Sequence, residues 1–234
     1  MSGRALHLTL SAVVMLTAAP GFSRAAPAPP TMALGAIWDA RWIAHPQVPG
    51  SAFSVVAKVA TGERAKAMVA RVLEDRSLTQ CTLYFRFYVI RAMAEVGLGD
   101  RYVAELQPWR DMLALGLTTF AEKPEPTRSD CHAWSACPNY DLLALVCGIT
   151  PDAPGFRRVR IAPALGPLAW VDAKMPHPNG EITLQLRQMT GGGIEARVAL
   201  PAGVSGVFSW GGTERALAAG TQTVAITGKA EKSK

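Results

Sequence analysis

The chain is poor in the residues whose mere presence announces a chemistry. It has four histidines and four cysteines in 234 residues. The cysteines stand at 81, 131, 137 and 147 with no C-x-x-C pair, so a structural zinc site is not supported despite His132 beside Cys131. G-x-S-x-G is absent, and Ser135 close to His132 along the chain does not make a triad, which sets a serine hydrolase aside. No apolar stretch reaches the roughly 18 residues that a membrane-spanning helix needs. The basic residues cluster only at Arg157, Arg158 and Arg160 and at Lys229, Lys232 and Lys234, so the sequence offers no nucleic-acid groove. Seventeen prolines and 21 glycines are too few for a collagen-like or low-complexity chain and enough for a turn-rich one. What is plentiful is apolar material, 49% of the residues, which suffices for a sizeable core in one or two domains.

The first residues read as an export signal. Arg4 precedes an uncharged, largely apolar run from Leu8 to Ala19, Pro20 and Gly21 break it, and Ser23 with Ala25 fits a small-x-small cleavage site. Residues 1–25 are expected to be a signal peptide, giving a periplasmic or secreted protein with no stable membrane insertion after cleavage. Loss of Arg4 and Arg24 lowers the net charge from +6 to +4, 22 basic against 18 acidic residues. Export permits disulfides. Four cysteines allow three pairings, and four thiols packed as small hydrophobes are the equal alternative.

Residues 26–61 read as a proline-rich linker and an accessory remnant, with Trp38 and Trp42 in the short apolar patch from Ile37 to Pro46. From Gly62 to Asp75, Ala65, Met68, Val69 and Val72 recur at helical spacing, and Leu83, Phe87, Ile90 and Met93 continue it from Leu78 to Gly97. A third helix is expected from about Asp100 to Leu115, burying Val103, Leu106, Met112 and Leu113, with Gly116 as its cap. A loop of about 20 residues, Thr118 to Pro138, precedes a short helix over Asn139 to Cys147 with Leu142, Leu143 and Val146 inward. Beyond Gly148 the period changes to two. Ile182, Leu184 and Leu186 alternate with polar residues, as do Ile194, Ala196, Val198 and Leu200, with Gly191–Gly193 as the turn between them. The order helices then strands predicts an α+β chain: helical hairpins over 62–150, a small antiparallel β-sandwich over 151–228, and a basic tail at 229–234.

The long loop gathers Glu122, Arg128, Asp130, His132 and Trp134. A carboxylate can activate water at an anomeric carbon, imidazole and guanidinium can bind hydroxyls, and an indole packs on the apolar side of a pyranose. The same residues also admit a plain reading, with Glu122 solvated, Arg128 paired to Asp130, and His132 and Trp134 pinning the loop to the core.

Gly116-Leu-Thr-Thr-Phe-Ala-Glu122, Arg128-Ser-Asp-Cys-His-Ala-Trp-Ser135, Gly148-Ile-Thr-Pro151 and Pro154-Gly-Phe156 resemble the end of the six-hairpin catalytic domain of bacterial alpha-L-rhamnosidases, glycoside hydrolase family 78. Ile161-Ala-Pro163, Leu165-Gly166 and Pro176-His-Pro-Asn-Gly180 are similar to that family's C-terminal β-sandwich, and Ala40-Arg-Trp-Ile43 with His45 and Pro46 to the start of its accessory domains. The resemblance implies a partial alpha/alpha barrel, a rhamnose-containing glycoside or oligosaccharide as ligand, and no metal or other cofactor. It makes Glu122 the general base of an inverting hydrolysis and His132 a rhamnose ligand, and sets Trp134 where the family places an aromatic beside that histidine; Arg128 and Asp130 join them as substrate-binding candidates on the chemistry of the loop alone. Inversion needs a second carboxyl about 6.5 to 9.5 Å away as general acid. No stretch between Trp42 and Gly62 resembles the family's acidic motif, which implies an internal deletion near Pro49 to Gly62 and an incomplete catalytic set. A broken barrel is further expected to expose Leu83, Phe87 and Ile90 and to self-associate through that edge. A non-catalytic carbohydrate-binding protein, or a decayed gene product, is the alternative.

Overall fold

The computed structural model describes residues 50–78 and 80–228, so the signal, the Ile37–Pro46 patch and the basic tail lie outside the described residues. Helices run as far as Val146 and strands from Ile149 onward, the α+β order that the change of period predicts.

Helix α1 (Gly50–Val56) lies in the stretch read as linker. Its Ala52 and Val55 are buried with Val69 of α2 (Gly62–Glu74) and with Ile90 and Met93 of α3 (Leu83–Glu95). After α3 the chain turns at Gly97, φ +72°, where Leu98 N–H donates to Met93 O at 2.8 Å and Gly97 N–H to Ala94 O at 3.2 Å. The helix expected over 100–115 is interrupted. A 3-10 turn (Gly99–Arg101) leads into α4 (Tyr102–Glu105), and α5 (Gln107–Ala114) starts afresh. Pro108 has no N–H to give and its ring excludes the carbonyl four residues back, so the α-helical ladder cannot cross it. The break rotates the last turn, and Leu113, expected inside, is 74% exposed.

Helix α6 (Pro138–Asp141) runs into a π-turn (Leu142–Val146) closed by Cys147 N–H donating to Leu142 O at 3.0 Å. The extra residue in that turn shifts the buried face, so Ala144, Leu145 and Val146 go inward and Leu142, expected inside, is left exposed.

The strands are β1 (Ile149–Pro151), β2 (Arg158–Ile161), β3 (Trp170–His177), β4 (Gly180–Gln188), β5 (Ile194–Leu200), β6 (Ser205–Trp210), β7 (Thr213–Leu217) and β8 (Gly220–Ile226). They form two four-stranded sheets, β1-β2-β6-β7 and β3-β4-β5-β8. All pairs are antiparallel except β2 with β6, a parallel contact that alternation of side chains does not reveal. The alternating Ile182, Leu184, Leu186 and Ile194, Ala196, Val198, Leu200 supply the inner face, packed with Ile149, Ile161 and Phe208.

Helices and sandwich share a junction. Gly148 sits at φ +68°, and a Cβ there would lie 2.1 Å from the carbonyl carbon of Ala162; Ala162 N–H donates back to Gly148 O at 3.0 Å. Asp100 Oδ1 accepts from Gly166 N–H at 3.0 Å, and Leu168 and Val171 pack against the apolar clusters of both parts.

Of the three side chains expected at a broken barrel edge, two are buried and none is exposed. Leu83 is enclosed with Trp109, Met112 and Ala121, Ile90 by α1 and α2, and Phe87 is half-buried. The helices present close on one another, and the large apolar groups left exposed among the described residues include Val59, Leu113, Leu115 and Trp134.

Candidate functional site

The long loop owes its shape to backbone pairing between its two halves. Glu122 N–H donates to Ser129 O at 2.9 Å, His132 N–H donates to Phe120 O at 2.7 Å, and the Thr119 hydroxyl donates to Asp130 O. Its base is fixed from below: Ala121 is buried against Leu83, Trp109 and Met112, and the Trp109 indole donates to Ser135 O at 2.8 Å. Glu122, Arg128 and His132 are thereby brought close together although the loop has little regular structure.

Arg128 forks onto Glu122, Nε to Oε2 at 2.8 Å and Nη2 to Oε1. This corrects the plain reading, in which Glu122 was solvated and Arg128 paired with Asp130. The Arg128 hydrogen bonds hold the Glu122 carboxyl below its usual range, with smaller help from the charges of Arg128, His132 and Lys123. The Glu122 side chain is 18% exposed and that of Arg128 79%, so the guanidinium is the partner with freedom to leave. Asp130 is exposed and serves the loop through its backbone carbonyl.

Trp134, 64% exposed, packs on Tyr84 of α3 with ring centroids 4.5 Å apart, and His132 meets it edge to face at 6.1 Å. The loop also walls a cavity of about 410 Å³ with α5, through Ala121, Lys123, Pro124 and Glu125. Neither Glu122 nor His132 is among the residues lining that cavity.

Sequence reasoning missed a second polar cluster beneath the loop. Arg91 of α3 pairs with Asp141, which is wholly buried, and its guanidinium lies 5.1 Å from the Phe87 ring and 5.0 Å from that of Tyr140. Burial pushes the Asp141 carboxyl up to about 6 against the pull of Arg91. Desolvation likewise raises the Tyr102 phenol and pushes the Cys137 thiol up to about 12. Arg91 Nε, Tyr102 Oη, Ser135 Oγ and Asp141 Oδ2 have no hydrogen-bond partner among the described residues. The sequence signal was the two arginines, Arg86 and Arg91, inside a largely apolar helical stretch. All four cysteines are thiols: Cys147 is buried and Cys81 and Cys137 are partly buried, in line with packed thiols, whereas Cys131 is exposed and departs from that reading.

Residues 148–225 match a family model described as the bacterial alpha-L-rhamnosidase C-terminal domain. A search of curated proteins finds no match. Among solved structures, an alpha-L-rhamnosidase from Aspergillus terreus superposes with a TM-score of 0.65 at 17% identity, covering 76% of this chain and 23% of that one. The Streptomyces avermitilis alpha-L-rhamnosidase complexed with L-rhamnose gives 0.64 at 17% identity, covering 84% and 24%. The family 78 rhamnosidase of Bacillus sp. GL1 gives 0.58 at 25% identity, covering 68% and 19%. The chain thus spans less than a quarter of the length of each of these three. Residues 148–225 are thus similar to a rhamnosidase C-terminal domain, and the fold of the described chain is similar to a part of those alpha-L-rhamnosidase structures.

Proposed function

We propose that residues 62–150 carry part of an alpha-L-rhamnosidase site, with Glu122 as the base that takes a proton from water and His132, Trp134, Arg128 and Asp130 toward a terminal alpha-L-rhamnoside. The observation that carries this reading is the loop itself: an ionised carboxylate, an imidazole and an exposed indole on one pinned segment, directly before a matched rhamnosidase C-terminal domain. A base must be charged to act, and Arg128 keeps Glu122 charged. The same guanidinium holds both oxygens, so water gains a lone pair only when Arg128 swings toward solvent or onto the substrate. Export to the periplasm or medium fits a glycosidase that meets its substrate outside the cell.

No general acid is assigned, and turnover by this chain alone is expected to be slow. General acid-base assistance is worth about 10² to 10⁴-fold, and an activated aryl leaving group needs least of it. The test is hydrolysis of an aryl alpha-L-rhamnoside and of a natural rhamnoside by the purified chain and by Glu122→Gln. Slow release from the aryl substrate, abolished in Glu122→Gln, is the expected result. Equal rates for parent and variant remove Glu122 from the chemistry.

The bidentate Arg128 clamp also favours a second reading, a sugar-binding protein that breaks no bond, because a carboxylate with both oxygens engaged is a poor base and a good fixed acceptor. Measurable rhamnose binding without turnover supports it.

A further inference from the structure

The outer face of the second sheet carries a group of side chains that the rhamnosidase reading does not use. Strand register sets Trp170, Arg187 and Glu195 side by side in one row and Asp172, Gln185 and Arg197 in the next. Their inward neighbours Ala173, Leu184, Leu186, Ala196 and Val198 are core, so these six are held facing outward by the burial of the opposite face. Residues in a row are about 4.8 Å apart and the rows about 6.7 Å apart, a grid on the scale of a sugar ring.

The six line a concavity of about 470 Å³, within the size range of small-ligand sites. Trp170 at its end is 64% exposed, an indole with no ring packed on it among the described residues. Gln185 Nε2 donates to Asp172 Oδ2 at 3.1 Å, which fixes both side chains as a pair. Arg187, Arg197 and Glu195 enter no ion pair among the described residues, although Glu195 stands opposite Arg187 in the register. Elsewhere on the sandwich comparable groups do pair, as Arg160 with Glu214 at 3.0 Å and Lys174 with Glu181 at 3.6 Å.

We infer that this face of β3, β4 and β5 is a binding site for a neutral glycan, with one pyranose stacked on Trp170 and its hydroxyls taken by Arg187, Glu195 and the Asp172–Gln185 pair. The class follows from the chemistry. An indole offers an apolar plane for sugar C–H groups, and planar carboxylate, amide and guanidinium groups can engage neighbouring hydroxyls two at a time. Two arginines against Asp172 and Glu195 leave the patch with no net charge, so an anionic polymer gains nothing that the two carboxylates do not oppose. Alternating donors and acceptors suit hydroxyls, each of which both gives and accepts. The site stands apart from the Glu122 loop and does not depend on it.

The test titrates the full chain with methyl alpha-L-rhamnoside, cellohexaose, mannohexaose and xylohexaose, and with polygalacturonate as the acidic counterpart. The readouts are calorimetry and the indole N–H resonances of Trp170 and Trp134 by NMR. At least one neutral glycan is expected to shift the Trp170 resonance with an affinity of the order of millimolar. Trp170→Ala should weaken that binding by about tenfold or more, and Glu214→Gln on the other sheet should leave it unchanged. Arg187→Gln, with side chain in solvent and melting temperature as the folding control, should weaken it as well. Binding that survives Trp170→Ala, binding of polygalacturonate alone, or no neutral-glycan shift at about 50 mM overturns the inference.

Discussion

The buried Arg91–Asp141 pair sets two physical effects against each other, and an isosteric substitution tells which prevails. Burial of Asp141 disfavours its charge, while Arg91 favours it, and the balance leaves the carboxyl at about 6 against an ordinary 3.8. Between those values the folded chain keeps a proton that the unfolded chain has lost. Stability therefore falls as pH rises through this window, since the unfolded state then binds fewer protons than the native one. At about 1.36 kcal/mol per pH unit over roughly 2.2 units, the loss is about 3 kcal/mol and is complete above about pH 6.

Asp141→Asn retains the shape and removes the titration. Compared with the parent, the variant should gain about 3 kcal/mol of relative stability between pH 4 and pH 7, other groups cancelling in the difference. The assay is urea unfolding followed by tryptophan fluorescence at half-unit pH steps. The opposite balance, with Arg91 dominant, makes removal of one partner cost about 3 to 5 kcal/mol at neutral pH and little at low pH. A variant that loses ground to the parent as pH rises therefore refutes the argument that desolvation governs Asp141.

Arg128→Ala should raise the Glu122 pKa toward the ordinary carboxylate range, because the largest cause of its depression is removed; carbon-detected NMR titration of the Glu122 carboxyl reads this directly. Gly148→Ala should lower stability by more than about 2 kcal/mol in denaturant unfolding, since it adds left-handed strain to an overlap with the Ala162 carbonyl at 2.1 Å. Replacing the exposed Leu113 and Leu115 by serine should change stability by no more than about 0.5 kcal/mol each and reduce any self-association seen by sedimentation velocity.

Periodicity disclosed those parts of the fold in which each residue's fate depends on near neighbours. The buried set Ala65, Val69 and Leu73 of α2 repeats every four residues, and Ile182, Leu184 and Leu186 of β4 every two, so their faces are written locally. The turn at Gly191–Gly193 is equally local, closed by Met189 N–H donating to Gly193 O at 2.8 Å. The misjudged residues follow features without a period. Pro108 breaks a helix whose apolar pattern runs straight through it and turns Leu113 outward, and the π-turn does the same to Leu142. Helix α1 is too short to show a repeat and takes its stability from Ile90 and Met93, more than 30 positions later.

The candidate site divides along the same line. Glu122, Arg128, His132 and Trp134 lie within 13 consecutive positions, so a sequence reading could collect them, and their resemblance to a known run gave them roles. Spacing could not choose the partner of Arg128, because Asp130 is two positions away and Glu122 six, and only the chain reversal between Glu122 and Ser129 brings the more distant carboxylate within reach. Arg91 and Asp141 are 50 positions apart, on elements that nothing in the sequence pairs. Yet Asp141 ends the short helix that follows the segment carrying His132 and Trp134, and Arg91 belongs to the helix that carries Tyr84 under Trp134. The ion pair thus joins the indole's support to the helix that follows its own loop, so a pH change that neutralises Asp141 should shift the Trp134 indole N–H resonance, and an unmoved resonance across that range would refute the link.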